Sequence, residues 1–251
     1  PELLEHPSSR RGARRYASCQ LFSRRLGYTT DTESPAAPNT MRLLVKREVV
    51  SSALGAGLAV SVLCVPFLCT MTPPGTLRTL RIAVLCPLAI LLFQVGLAWT
   101  PLAEGRSMVR RDLPPLSYVH LALFGLVLAC VESLIVDPLI VRTIPSYFPN
   151  SRVELLYGLP FMALFQPLVF VVGSYAFTAR LTKHPIPAMA AVVLGHQGLL
   201  LLKLHDGVPV HLSATLLLVS GTNALILGAS YRQYGYAGPA VITLISQSRH
   251  L

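Results

Sequence analysis

Six long apolar runs dominate the pattern of this chain. Each is about 20 residues or longer, which is enough to cross a bilayer as an α-helix. The runs are continuous rather than alternating in polarity, and this argues against a transmembrane β-barrel. The pattern therefore predicts an all-α polytopic membrane protein with six spans, at about residues 49–70, 80–100, 117–141, 153–179, 186–204 and 210–230.

Composition and charge agree with this prediction. With 53% hydrophobic and 13% charged residues, the chain is too apolar for an ordinary soluble domain. If the N-terminus is cytoplasmic, sixteen of the 21 Lys and Arg residues fall on the inner side, so the positive-inside rule places both termini in the cytoplasm. The basic residues flank spans and are not interleaved with aromatic residues on a soluble face, which argues against a nucleic-acid partner.

The chain divides into four regions by composition. Residues 1–47 form a basic extension, of which we expect residues 1–40 to be disordered or to be an over-long translation whose true start is Met41. A transit peptide is the alternative interpretation, since residues 1–40 are rich in Arg and Ser. Residues 48–112 are predicted to be a two-helix membrane anchor, residues 113–232 a four-helix domain, and residues 233–251 a short C-terminal tail.

Ionisable side chains inside the last four spans are the main candidates for function. A charge in hydrocarbon costs several kcal/mol, about 3 kcal/mol on insertion scales, unless it is paired or hydrated. Glu132 has apolar neighbours for a turn on each side, so its carboxyl should be neutral or paired. Asp137 precedes Pro138, which disfavours helix at the aspartate and predicts a kink or a position near the membrane edge. Five residues apart, the two acids lie about 140° apart around a helix.

The later spans add polar and aromatic candidates. Pro160 and Pro167 should bend the fourth span and free backbone carbonyls, as around a cavity. His196 and Lys203 are seven residues apart and so share a face of the fifth span. The alternative roles are helix packing for the aromatic residues, a structural hydrogen bond for His196 and snorkelling of the ammonium group to water for Lys203. The candidate ligand-binding residues are His196, Gln197, Asn223, Tyr175, Phe161 and Phe165. The five cysteines show no metal spacing, and we expect no metal or cofactor.

Several short motifs in residues 117–232 resemble the EXPERA domain, the four-helix membrane unit of emopamil-binding protein and the sigma-2 receptor. The motifs are an acidic residue late in the first helix, IPSYFP, then LFQPLVFVVGSYAFTARLTKHPIPAM, then LGHQ, and TNAL in the last helix. Their order and spacing are similar to the family pattern.

The resemblance implies a cavity, open to the bilayer, that takes sterols or related flat hydrophobic molecules in the endoplasmic reticulum membrane. In the sterol isomerases of this family a carboxylic acid protonates a ring double bond. Glu132 takes the acid position in one alignment, and Asp137 takes the matching aspartate in the other. Gln197 and Asn223 match polar positions of the family. The implied partners are a sterol-like ligand and membrane lipids. A second copy of the chain, forming a homodimer, is a further possible partner.

Departures from the pattern keep other functions open. Leu128 stands where the isomerases have a histidine, and the second helix lacks their second glutamate, with Glu154 the nearest acid. Binding or transfer of a sterol-like lipid is therefore the first hypothesis and Δ8–Δ7 sterol isomerisation the second. An intramembrane protease is a third, because VESLIVD is similar to the paired-glutamate motif of CAAX-type proteases without its second glutamate. A non-catalytic scaffold subunit is the fourth.

Overall fold

The computed structural model describes residues 43–110, 113–143, 151–203 and 210–250. All of these residues belong to one compact unit, residues 40–251. The extension at residues 1–40, its interpretation as a transit peptide and the IPSYFP motif lie outside the described residues.

Seven helices make up the described part of the chain. Six of them, α1 to α6, are long and apolar enough to cross a membrane, and each coincides with one of the six predicted spans. The prediction of an all-α polytopic membrane protein is therefore confirmed. The helices are α1 Arg47–Met71, α2 Thr76–Glu104, α3 residues 115–143, α4 residues 152–182, α5 Pro185–Lys203, α6 Val210–Tyr234 and α7 Ala237–Gln247.

Helix α4 is the centre of the bundle. Half of its most apolar window is buried inside the protein, against 11% to 28% for the other five spans. It packs against α1, α2, α5 and α7. The two helices predicted as a separate anchor share one hydrophobic core with it, through residues such as Cys64, Phe93 and Leu168.

Prolines bend α4 as its sequence predicts. The helix is α-helical at Arg152–Pro160 and again at Ser174–Thr182, but it widens into π-helix at Phe161–Phe165 and Leu168–Gly173. A proline removes one N–H from the backbone ladder, so the neighbouring hydrogen bonds change register and carbonyls are released. Within this irregular stretch, the Leu164 carbonyl accepts a hydrogen bond from the Tyr236 hydroxyl at 2.7 Å.

The last helix corrects the prediction for residues 233–251. The segment predicted to be a short tail turns back at Gly235, whose φ of 70° suits a residue without a side chain, and continues as α7. The Tyr236 N–H donates to the Met108 carbonyl at 2.9 Å, and α7 then packs along α3 and α6. Eleven residues reach only about 16 Å. A count of apolar runs long enough to span therefore misses this helix.

Candidate functional site

A partly open cavity of about 170 Å³ lies among α3, α4, α5, α6 and the C-terminal segment. Leucine and valine side chains form much of its wall. Polar side chains from all five segments also line it: Glu132, Gln166, His196, Ser220, Asn223, Thr243, Ser246, Gln247 and Arg249. The cavity is thus a polar site between helices that face hydrocarbon.

Glu132 is the acid of this cavity. It lies within the α3 span Pro115–Val141, with nine residues of the span still to follow, and only 7% of the residue is exposed. Its Oε1 accepts a hydrogen bond from the Asn223 amide at 2.8 Å, and its Oε2 accepts one from Arg249 Nη1 at 2.5 Å. Of the two states expected for this carboxyl, neutral or paired, the structure shows it paired.

Arg249 joins the two acids of α3. Its Nε and Nη2 each donate to one oxygen of Asp137 at 3.0 Å, which is a two-pronged contact, while Nη1 contacts Glu132. Guanidinium suits this role because its donors form a rigid fork that matches a carboxylate. All three side chains are at most 17% exposed.

The backbone of α3 places both acids towards Arg249. In a regular α-helix two residues five apart point about 140° from each other. Here the stretch Glu132–Val136 is π-helical, and a π turn has more residues than an α turn. Glu132 and Asp137 are therefore nearly one turn apart and face the same cation. The π turn ends at Asp137, next to Pro138, where the sequence predicts a kink.

Arg249 also donates a hydrogen bond to a backbone carbonyl at the end of its own helix, α7. Helix α7 ends at Gln247 and is followed by a 3₁₀ turn, Ser248–His250. The last carbonyls of a helix lack partners within the helix. Arg249 Nη1 donates to the Ser246 carbonyl at 2.7 Å, and the Ser248 hydroxyl donates to the Ile245 carbonyl at 2.8 Å. Side chains of the turn thus provide partners for two carbonyls at the end of α7.

Two further sequence candidates line the cavity. His196 on α5 lies with its Nδ1 3.0 Å from the Val192 carbonyl, and its ring centre is 5.5 Å from that of Phe170. Asn223 on α6 donates directly to Glu132 at the cavity wall. The structure therefore brings together Glu132, His196 and Asn223, which are far apart in the sequence.

The remaining candidates lie elsewhere. Gln197 donates to the Leu217 carbonyl at 3.4 Å, between α5 and α6. Phe161 packs against Phe165, with ring centres 5.2 Å apart, and against a phenylalanine of α1. Tyr175 is fully buried and donates to Glu104.

Asp137 contacts Arg249 but is not among the residues that line the cavity. Lys203 closes α5, and its side chain lies outside the described residues.

Tyr175 belongs to a second polar network, away from the cavity. Glu104, at the end of α2, accepts a hydrogen bond from the Tyr175 hydroxyl. Its Oε1 also lies 3.4 Å from the Nε of Arg232. Beside it the hydroxyls of Thr100 and Tyr231 are 2.6 Å apart. This network links the ends of α2, α4 and α6 through side-chain hydrogen bonds and an ion pair. We interpret it as a contact that holds these helices together.

Sequence reasoning missed the contribution of the C-terminal segment to the site. Thr243, Ser246, Gln247 and Arg249 all line the cavity, and Arg249 was counted with the cytoplasmic positive charges. One signal was present: an acid as deep in a span as Glu132 needs a cation or a donor. The short apolar segment after the sixth span carries such a cation.

Among the described residues, no group of three or more His, Cys, Asp or Glu side chains is arranged to hold a metal ion. Comparison of the chain with protein-family models, with curated proteins and with solved structures finds no match. Fold and site thus define a class, a polytopic α-helical membrane protein with a polar cavity between its helices. The resemblance to the EXPERA domain stays a prediction.

Proposed function

We propose that this protein binds or transfers a sterol-like lipid, whose polar end enters the cavity between α3 and α6. The observation that carries this proposal is that Glu132, His196 and Asn223 line one cavity between helices that face hydrocarbon. Ionisable groups at such depth are costly and mark sites of function. A hydroxyl or amine reaching Glu132 and Asn223 would find both an acceptor and a donor.

The size of the cavity limits what it encloses. Sites that enclose a drug-sized ligand measure roughly 300–1,000 Å³, whereas a cavity of about 150 Å³ holds a molecule as small as benzene. At about 170 Å³, this cavity takes one ring or one polar end of a larger molecule. The apolar remainder would lie against neighbouring helices and lipid, as in a carrier that takes its ligand from the membrane.

The contacts of Glu132 favour binding over isomerisation. A carboxyl that protonates a double bond must itself carry the proton. Asn223 and Arg249 both donate to Glu132, so each oxygen of this carboxyl already accepts a hydrogen bond within the protein. An isomerase would have to replace the Arg249 contact before it could act. The protease hypothesis lacks a comparable observation, because the described residues hold no metal-ligand cluster.

Sterol retention by purified protein tests the proposal. Residues 41–251 are purified from sterol-containing membranes into lipid nanodiscs, and bound sterol is compared with bulk lipid by mass spectrometry. The unchanged protein is expected to retain sterol stoichiometrically. Asn223→Leu is expected to lower retention about two- to tenfold, since a hydrogen bond between neutral groups, such as the Asn223 amide and a sterol hydroxyl, is worth about 0.5–1.5 kcal/mol.

The matched control is Thr222→Val, one residue earlier on α6. Thr222 is exposed, and its hydroxyl bonds only within the helix, to the Leu218 carbonyl at 2.9 Å. Retention equal in the Asn223 variant and the control would contradict binding in this cavity. If no sample contains more sterol than the bulk lipid does, the sterol proposal is contradicted and the scaffold hypothesis takes its place. Conversion of a Δ8 to a Δ7 sterol that stops in Glu132→Gln would make the protein an isomerase.

A further inference from the structure

The C-terminal segment forms one side of the cavity. Thr243, Ser246, Gln247 and Arg249 line it together with residues of α5 and α6. Ser246 is only 2% exposed. A molecule that reaches Glu132 from this side must therefore pass the end of this segment.

The first part of the segment is firmly anchored. Tyr236 is held by the carbonyls of Met108 and Leu164. Further along, Ile245 packs directly on α3 at Gly125, where an added Cβ would lie 2.8 Å from the Ile245 Cβ. Separating the body of α7 from α3 would lose these close dispersion contacts, so the body is expected to stay in place.

The last turn is held differently. Ser248–His250 is a single 3₁₀ turn, and the backbone hydrogen bonds of such a turn have poorer geometry than those of an α-helix. The contact of the turn with α3 includes three hydrogen bonds of the Arg249 side chain, two to Asp137 and one to Glu132. His250 Nδ1 also lies 4.0 Å from the same Asp137 carboxylate, a longer contact than those of the Arg249 fork. Loss of the fork would therefore weaken the attachment of the turn to α3 while the body of α7 stays in place.

We propose that the turn Ser248–His250 is the gate of the cavity and that Arg249 is its latch. This inference rests on the proposed function, since a gate has a role only if the cavity takes a ligand. When the fork on Asp137 opens, the turn moves away from α3 and uncovers Ser246 and the Glu132 carboxylate. Asn223 keeps its hydrogen bond to Glu132, so the carboxylate retains a donor while the gate is open.

The fork makes the latch specific for arginine. Guanidinium contacts Asp137 with two nitrogens and Glu132 with a third. The ammonium of a lysine is a point charge on a flexible stem and cannot reproduce this geometry. Arg249→Lys therefore keeps the positive charge among the acids and removes the fork. The variant thus distinguishes an effect of the fork's geometry from an effect of the charge alone.

Cysteine reactivity measures the gate without any ligand. In a background with all five native cysteines replaced, Ser246→Cys places a thiol behind the gate. Its rate of reaction with N-ethylmaleimide is measured in lipid nanodiscs, with and without Arg249→Lys. We expect the rate to rise at least about tenfold in Arg249→Lys, because the lost hydrogen bonds join charged groups. Arg232→Lys, which alters the contact of Arg232 with Glu104, is expected to leave the rate unchanged.

Three outcomes decide the proposal. Equal rates in Arg249→Lys and the unchanged chain would overturn the gate, whatever the protein binds. An equal rise in Arg249→Lys and Arg232→Lys would overturn it too, because general loosening would then be the cause. A rise confined to Arg249→Lys supports it. Asp137→Asn, which weakens the same fork from the α3 side, repeats the test if Arg249→Lys fails to fold.

The release rate of dehydroergosterol, a fluorescent sterol, separates the gate from the proposed function. Faster thiol reaction together with faster sterol release in Arg249→Lys supports both. Faster thiol reaction without any sterol binding supports a moving turn and refutes the sterol proposal. Sterol binding with unchanged release and unchanged thiol reaction leaves the proposed function standing and overturns the gate.

Discussion

Arg249→Met is expected to lower the free energy of unfolding by about 3–5 kcal/mol, the cost of leaving a buried charge without its partner. Methionine keeps the apolar stem but provides no donor for Glu132 or Asp137. Each of the three side chains is at most 17% exposed, so water replaces the lost contacts poorly. The measurement is reversible unfolding of the purified protein in mixed micelles with increasing denaturing detergent.

The control for this prediction neutralises the acids as well. In Glu132→Gln, Asp137→Asn, Arg249→Met no charge remains in the cluster, and we expect most of the lost stability to return, because a buried ion pair contributes little net stability over a neutral replacement. A loss below about 1 kcal/mol in the single variant would be typical of an exposed pair. Such a result would contradict the burial of this cluster.

Gly57→Ala is expected to destabilise the protein by about 1–3 kcal/mol through overpacking. At this residue α1 and α2 approach so closely that an added Cβ would lie 2.8 Å from both the backbone nitrogen and the Cα of Ile90. A side chain can rotate away from such a contact, but a backbone cannot. The two helices must therefore separate, and dispersion contacts along their whole interface weaken.

Gly55→Ala is the matched control, two residues away on the same helix. An added Cβ at Gly55 meets nothing within 4 Å, and alanine has the higher helix propensity, so the change is expected to be neutral or stabilising by up to about 1 kcal/mol. Thermal unfolding of both variants in one detergent gives the comparison. Equal effects at the two positions would show that α1 and α2 do not meet at Gly57.

Much of the fold could be predicted from apolar run length. The cost of unsatisfied backbone groups in lipid allows few structures other than long helices, and α1 to α6 coincide with the predicted spans. The bends of α4 could also be predicted, since they follow Pro160 and Pro167. Helix α7 could not, because its 11 residues are too few for a span and only its contacts with α3 and α6 show its place.

The candidate site could be predicted in part. Glu132 stood out because an acid surrounded by apolar neighbours needs a partner, and His196 and Asn223 stood out as polar side chains inside spans. The aromatic residues Phe161 and Tyr175 carried no comparable signal, since aromatic side chains are as common in helix contacts as in ligand sites. In the structure they pack away from the cavity.

By itself, the sequence determined that this chain is an all-α membrane protein with six spans and with a deeply placed acid at Glu132. Both follow from local rules, because the bilayer fixes the length of a span and hydrocarbon penalises an unpaired charge. Only the tertiary structure decided that Arg249, 117 residues further along, is the partner of that acid, and that α7 forms a wall of the cavity. The pairing depends on how helices distant in the sequence pack, and on a π turn that turns Asp137 and Glu132 towards one cation. Neither is a property of any single segment.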